Sequence, residues 1–184
     1  MSGTRLGSLP EIEARCWREL AECVADASHP WRTPVLATVD GERADARIVI
    51  LREADLEARE LVFFTDSRSP KLDQLRAHPA ATLVVWSREH GWQLRIAVTL
   101  AAFSDGLEAS SRWARLKLSP SARDYLSPLP PGAPIDQAAV PDRASREFFA
   151  VVRAKVEAID WLELHAEGHR RARFDAAGAR WLQP

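Results

Sequence analysis

The stretch from Thr33 to Phe103 constrains this chain most. It divides into short segments of alternating apolar and polar residues separated by turn formers, a pattern that suits antiparallel strands. Thr33–Val39 and Arg43–Leu51 flank Asp40-Gly41, the strongest short hairpin signal in the sequence. Glu60–Thr65 supplies the next strand, and Ala80–Trp86 with Trp92–Phe103 makes a second hairpin around Ser87-Arg88-Glu89-His90-Gly91. Helices punctuate this series. Ser8-x-x-Glu11 is a capping-box pattern, and Ile12, Cys16, Leu20, Cys23 and Val24 recur at helical spacing, so residues 8–27 are expected to form an amphipathic helix. A short helix runs from Pro70 to about Ala77 and stops near His78-Pro79. A third opens at Asp105 with Glu108, carries Leu107, Ser111 and Leu116, and ends near Pro120.

Residues 119–145 hold Pro120, Pro128, Pro130, Pro131, Pro134 and Pro141, half of the chain's 12 prolines, and read as a long loop. A loop of that length serves as a lid, a dimer arm or a disordered segment. Phe148–Leu164 reads as one long or two short strands, and His169–Phe174 with Arg180–Leu182 closes the chain as a hairpin around Asp175-Ala176-Ala177-Gly178. The expectation is a mainly β protein with short helices, built as a small barrel of about six antiparallel strands. At 184 residues it reads as a single domain over 1–184, with the N-terminal helix inside 1–30, the Pro-rich loop at 119–145 and C-terminal strands over 147–184.

Its 25 Lys and Arg balance 26 Asp and Glu, so no global field draws the chain to nucleic acid or to an acidic membrane surface. Any anion site must be local. No apolar run opens the chain, which argues against a membrane span and secretory targeting and for a cytoplasmic location. Cys16 and Cys23 lie seven residues apart, about 10 Å along a shared helix and too far for a disulfide, so both are expected to pack as small apolar residues. Neither a Gly-x-Gly-x-x-Gly nor a Gly-x-x-x-x-Gly-Lys loop occurs, and no Gly-x-Ser-x-Gly elbow is present. His165 and His169 are four apart, but Gly168 and strand-like flanks favour a turn with exposed imidazoles over a metal pair.

Phe63-Phe64-Thr65-Asp66-Ser67-Arg68-Ser69-Pro70-Lys71 leads from an apolar strand into the short helix. Ser69 is a good N-cap and Pro70 a good first helical residue, yet Lys71 places a cation where a helix prefers negative charge. A lysine beside free N–H groups and hydroxyls makes chemical sense if a phosphate sits between them. The alternative is a capped helix with a solvated lysine. On Arg43–Leu51 the alternation sends Arg47, Val49 and Leu51 to one face and Ile48 and Ile50 to the other, so Arg47 shares an apolar face and requires an anionic partner. Gln93 and Arg95 share the face of their strand opposite Trp92, Leu94 and Ile96. Each of these could equally be a barrel-rim residue satisfied by an acid.

Taken in order, these segments resemble the pyridoxamine 5′-phosphate oxidase family, whose members bind FMN on a split β-barrel and usually work as homodimers. Arg47-Ile48-Val49-Ile50-Leu51-Arg52 is similar to the family's Arg-x-Val-Leu-Leu-Lys strand, and Phe63-Phe64-Thr65-Asp66 to its Phe-Tyr-Thr-Asn. Ser69-Pro70-Lys71 stands where the family has Ser-Arg-Lys, and Trp92-Gln93-Leu94-Arg95 resembles its Arg-Gln-Val-Arg strand. His169-Arg170-Arg171-Ala172-Arg173-Phe174 resembles the closing Arg-Leu-His-Asp-Arg-Phe segment. The resemblance implies a six-stranded antiparallel split β-barrel with FMN at the interface of a homodimer. It implies that Arg47, Thr65, Ser69 and Lys71 hold the FMN phosphate, with the backbone of Val49, Ile50 and Leu51 along the ring. Arg52, Phe64 and Gln93 would complete the flavin site, and Arg173 would reach it across the interface.

The departures are informative. Arg52 replaces a lysine, Phe64 a tyrosine and Pro70 a phosphate-side arginine, and Arg171 stands where substrate-oxidising members carry a histidine. Alternation puts Arg52 opposite Arg47, so only a bulge or strand end could aim both at one ligand. The tyrosine, arginine and serine that hold the family's substrate phosphate are missing around Trp113 to Ser121. The implied activity is an FMN-dependent oxidoreductase, in which a small-molecule substrate gives a hydride to flavin N5 and oxygen or another acceptor reoxidises the ring. No side chain is assigned a catalytic role and no metal is expected; His169 and Arg171 are the expected substrate contacts. The alternative is a flavin-binding or flavin-storing module of the same fold without turnover.

Overall fold

The computed structural model describes residues 5–134 and 148–184. Helix α1 (Leu9–Ala25) starts at the Ser8 cap, where the Ser8 hydroxyl accepts the Glu11 N–H and the Glu11 carboxylate reaches back to the Ser8 N–H. It lays Ile12, Cys16, Leu20 and Cys23 into the main core. Both thiols are free and buried, and burial pushes the Cys23 thiol up to about 12. No helix among the described residues is long and apolar enough to cross a membrane.

Nine strands follow among the described residues: β1 (Val35–Asp40), β2 (Arg43–Ile48), β3 (Leu51–Asp55), β4 (Glu60–Asp66), β5 (Ala80–Ser87), β6 (Trp92–Phe103), β7 (Phe149–Glu163), β8 (Arg170–Asp175) and β9 (Gly178–Leu182). Helices α2 (Pro70–Ala77) and α3 (Gly106–Leu116) lie between them, and a 3₁₀ turn at Pro120–Tyr125 occupies the start of the Pro-rich stretch expected as loop; residues 135–145 of that stretch fall outside the described residues. All pairings are antiparallel, in the order β2-β1-β5-β6-β7-β4-β3, with the β8–β9 hairpin added on β7.

The expected Arg43–Leu51 strand is two strands. β2 pairs β1 at one end of the series, and after Val49 and Ile50 the chain enters β3, which pairs β4 at the other end. Counted as one strand bent at residues 49–50, β2 and β3 complete a ring of six, and the two sheet edges are joined there by the covalent chain alone. The barrel is split at this seam. Alternation survives the break: Val49 and Leu51 face the core, while Ile48 is 66% exposed and Ile50 39%.

Two apolar clusters result. The inward residues of the barrel, including Leu36, Phe63, Leu83, Ile96 and Trp161, form the main core. A smaller cluster sits outside β4 and β7, where Val62, Phe149 and Val151 meet Ala109, Trp113 and Leu116 of α3 and Tyr125. Of the α3 residues, Leu107 is exposed, and Ala109, Trp113 and Leu116 define the buried stripe. Gly41, at φ 59°, is the first of two loop positions between Asp40 and Arg43, so the first hairpin turns on Gly41-Glu42.

Candidate functional site

Strand β4 turns Thr65 inward, and the turn after Asp66 carries the chain into α2. Ser69 occupies the N-cap position, but its hydroxyl does not cap the helix. The Lys71 ammonium donates to Ser69 Oγ at 2.7 Å and to Thr65 Oγ1 at 2.9 Å. Thr65 and Ser69 are buried and Lys71 is half-buried. Burial, and the Arg47 guanidinium nearby, push the Lys71 ammonium below its ordinary value, with Asp66 and Asp45 opposing the shift more weakly. No carboxylate forms an ion pair with Lys71 among the described residues, so two neutral hydroxyls are its side-chain partners.

Arg47 comes from β2 to the same neighbourhood. Its guanidinium donates to the Gln74 side-chain oxygen at 2.8 Å and to the Thr38 hydroxyl, and it pairs with Asp45. Gln74 lies three residues beyond Lys71 on α2 and also donates to Asp45 at 2.9 Å. The anionic partner that the buried-face position demands is thus supplied by the chain itself, two residues back on the same face. Thr38, Asp45 and Gln74 were not anticipated from the sequence. Thr38 sits at an inward position of β1, and a polar residue there was the available signal.

The other expected residues fall into two further groups. A bulge does occur at Arg52, where the register shifts between Leu51 and Glu53. Its guanidinium lies 6.0 Å from the centre of the Phe64 ring, beside Tyr125, and its Nε is buried without a hydrogen-bond partner among the described residues. Burial raises the Tyr125 phenol, and Arg52 offsets part of that rise. Phe64 points away from Thr65 and packs edge-on to Phe149 at 5.1 Å. The side chains of Val49 and Leu51 belong to the core and the Val49 N–H donates to the Pro34 carbonyl at 3.0 Å, so the seam presents the main chain around Ile50, outside both strand ladders, together with the exposed Ile50 side chain.

The third group lies on the outer face of β6, β7 and β8. Gln93 pairs in register with Leu162, and Leu162 with Arg171; Arg95 pairs with Asp160, and Asp160 with Arg173. Arg171 makes a two-pronged pair with Asp160, at 3.0 and 2.7 Å, and Arg173 pairs with Asp175 at 2.7 Å. His169 is exposed in the β7–β8 turn, where its Nδ1 accepts the His165 N–H at 3.2 Å. No group of His, Cys, Asp and Glu suited to a metal ion occurs among the described residues. Arg47, Thr65, Ser69 and Lys71 are brought together within the one chain; no hydrogen bond or ion pair among the described residues joins them to the Gln93–Arg171–Arg173 face.

The strand order and the seam at residues 49–50 define a protein of the split-barrel class. Residues 14–104 match the family model described as the FMN-binding domain of pyridoxamine 5′-phosphate oxidase, and this part of the chain is a domain of that family. A pyridoxine/pyridoxamine 5′-phosphate oxidase of Thermosynechococcus vestitus is 52% identical over 63 residues, 33% of this chain and 28% of the relative. One of Caulobacter vibrioides is 34% identical over 100 residues, 52% of this chain and 44% of the relative, so the matches span less than half of either relative. Among solved structures, a pyridoxamine 5′-phosphate oxidase-related, FMN binding protein of Nostoc punctiforme PCC 73102 aligns with a TM-score of 0.72 at 24% identity, over 98% of this chain and all of that one. PhzG of Burkholderia lata 383, solved with tetrahydrophenazine-1-carboxylic acid, aligns with a TM-score of 0.71 at 21% identity, over 97% of this chain and 94% of that one. At those identities the two structures establish the fold.

Proposed function

We propose that this chain is a homodimeric FMN-dependent oxidoreductase acting on a small-molecule substrate, with the FMN phosphate held by Lys71, Thr65, Ser69 and Arg47. The observation that carries this reading is the half-buried Lys71 ammonium satisfied by two hydroxyls and no carboxylate. Such a donor set fits a phosphate, which would accept from all three groups and return Lys71 toward its ordinary value. Arg47, braced by Gln74 and Asp45, lies near enough to depress the Lys71 ammonium and adds a second positive charge to the seat. The main chain around Ile50, past the Val49 N–H bond to the Pro34 carbonyl and outside both strand ladders, would lie along a flat ring. Bound FMN would supply two-electron oxidation–reduction chemistry between a substrate and oxygen or another acceptor. The protein's contribution is positioning and charge: Arg52, whose Nε is buried without a hydrogen-bond partner among the described residues, and Gln93 are the groups assigned to the ring and substrate. The buried free thiols of Cys16 and Cys23 suit a reducing cytoplasm.

The homodimer reading rests on the outer sheet face. Ile48, Val35 and Val84 form one cross-strand row that continues into Arg95, Asp160 and Arg173, and Trp86 stands beside Gln93 on the next. Ile48, Val35 and Trp86 are 66, 38 and 43% exposed, a contiguous apolar surface of the kind that marks a protein interface. A second copy packed there would bring the Gln93–Arg173 group of one protomer toward the seam of the other. Ile48→Asp is expected to weaken self-association at least about tenfold in sedimentation velocity, since it buries a charge in the apolar centre. A wild-type protein that is monomeric at tens of micromolar refutes the homodimer.

One observation favours the reading without turnover: Arg171, at an expected substrate position, is closed off by Asp160. The two readings separate on the purified protein. Both expect it to take up FMN and show a flavin absorbance band; a colourless protein that takes up no added FMN refutes both. Peroxide formation with pyridoxamine 5′-phosphate selects the oxidase, and flavin that no candidate amine or pyridine reduces selects the module.

A further inference from the structure

Arg68 lies in the turn between Thr65 and Lys71, yet its guanidinium is committed elsewhere. Its Nε and Nη2 donate to the two Asp66 carboxylate oxygens at 3.0 and 2.7 Å. Nη2 also donates to the Ser127 and Leu129 carbonyls at 2.9 and 3.2 Å, and Nη1 to the Pro128 carbonyl at 3.0 Å. Its plane stacks 3.4 Å from the centre of the Phe148 ring. Three consecutive carbonyls therefore converge on one planar cation, in a segment where Pro128 has no N–H of its own to offer.

The same turn is tied down from its other side. Ser67 N–H donates to the Phe148 carbonyl at 2.6 Å, Arg68 N–H to Asp66 Oδ1 at 2.8 Å, and Ser69 N–H to the Asp66 carbonyl at 3.0 Å. Thr65 immediately precedes this clamp and Ser69 immediately follows it, so the two hydroxyls facing Lys71 take their positions from a turn whose anchor is residues 127–129. A displacement of that turn by about 1 Å would spoil hydrogen bonds that require roughly 2.7–3.0 Å.

We propose that Arg68 is a positioning residue that couples the Thr65–Ser69–Lys71 seat to the Ser127–Leu129 segment, so that an anion in the seat and order in that segment stabilise each other. With Nε and both terminal nitrogens occupied, Arg68 does not itself serve the anion. It therefore does not supply the positive charge that is lacking at Pro70. A lysine at 68 keeps the charge but cannot reproduce the two-pronged carboxylate pair and the three carbonyl bonds together. This coupling rests on the FMN reading of the seat.

The test compares wild type, Arg68→Lys, Arg68→Ala and Lys71→Ala by FMN titration and by amide hydrogen exchange at Ser127 and Leu129, with and without saturating FMN. The expected result is that FMN slows exchange at Ser127 and Leu129 several-fold in wild type and leaves it unchanged in Arg68→Lys, even at saturation. Arg68→Lys and Arg68→Ala are also expected to raise the FMN Kd about tenfold, as loss of a charged hydrogen-bond anchor does. Saturating FMN slowing exchange in Arg68→Lys as much as in wild type, or not slowing it in wild type, overturns the coupling while leaving the seat intact. A wild type that binds no FMN, or a Lys71→Ala variant that binds it as tightly as wild type, overturns the seat reading and the coupling with it. Arg68→Lys keeps the measurement available if Arg68→Ala fails to fold.

Discussion

Lys71→Ala is expected to weaken FMN binding by about 1.5–3 kcal/mol, roughly 10- to 150-fold in Kd, in a flavin-fluorescence titration at neutral pH. The ammonium is the central donor of the seat: without it the Thr65 and Ser69 hydroxyls remain, but no charge meets the phosphate from that side. Arg47→Ala is expected to cost a similar amount, because it removes the second cation and also releases Gln74 and Asp45 from their shared network. Unchanged affinity in both variants would place the phosphate elsewhere. The pH dependence follows from the depressed Lys71 value. Phosphate favours the charged amine, so FMN binding is strongest below the free protein's Lys71 pKa and declines as pH rises through it toward the higher pKa of the complex. That alkaline decline should be absent from the Lys71→Ala variant.

Gly91→Ala is expected to destabilise the fold by about 2–4 kcal/mol in urea unfolding, the largest loss expected from an alanine at any glycine among the described residues. Gly91 has φ 65°, and a Cβ there would lie 2.5 Å from the Leu164 carbonyl oxygen. That oxygen cannot retreat easily, since the Leu164 N–H is itself bonded to the Gly91 carbonyl at 2.7 Å. The clash falls where β6 and β7 begin their pairing at Trp92 and Glu163. Gly178→Ala is the control: its φ is 104°, but nothing lies within 4 Å of the added atom, so it carries backbone strain alone, about 1–2 kcal/mol. Equal losses in the two variants would show that the close approach at Gly91 costs nothing.

Local punctuation made some elements legible in the sequence. α2 begins and ends where Ser69-Pro70 and His78-Pro79 predict, and β6 occupies Trp92–Phe103 as read. The alternation that sent Arg47 inward with Val49 and Leu51, and Ile48 and Ile50 outward, is present in the barrel. The break at 49–50 was not legible, because Ile48-Val49-Ile50-Leu51 is an unbroken apolar run with no Gly or Pro. Only closure of the ring requires the chain to leave one strand partner for another there. Within the seat, the residue types of Thr65, Ser69 and Lys71 announced themselves by chemistry, whereas Gln74 reads as an ordinary helical polar residue until α2 is laid beside β1 and β2. Arg68 was hidden for a similar reason: its partners at 127–129 lie about sixty residues away in sequence.

The seam at residues 49–50 also bears on how such a barrel stays out of aggregates. A ring left open has two strand edges with unsatisfied main-chain groups, each able to recruit a foreign β-strand. Here β2 carries Arg43, Asp45 and Arg47, and β3 carries Arg52, Glu53 and Asp55, so charges of both signs line the two edges. An incoming strand would have to strip water from these groups along its whole length. The bulge at Arg52 further spoils the regular repeat a docking strand would need. The two edges thus discourage pairing with a foreign strand, which lets the protein keep a split in its barrel without offering a ready template for fibre growth.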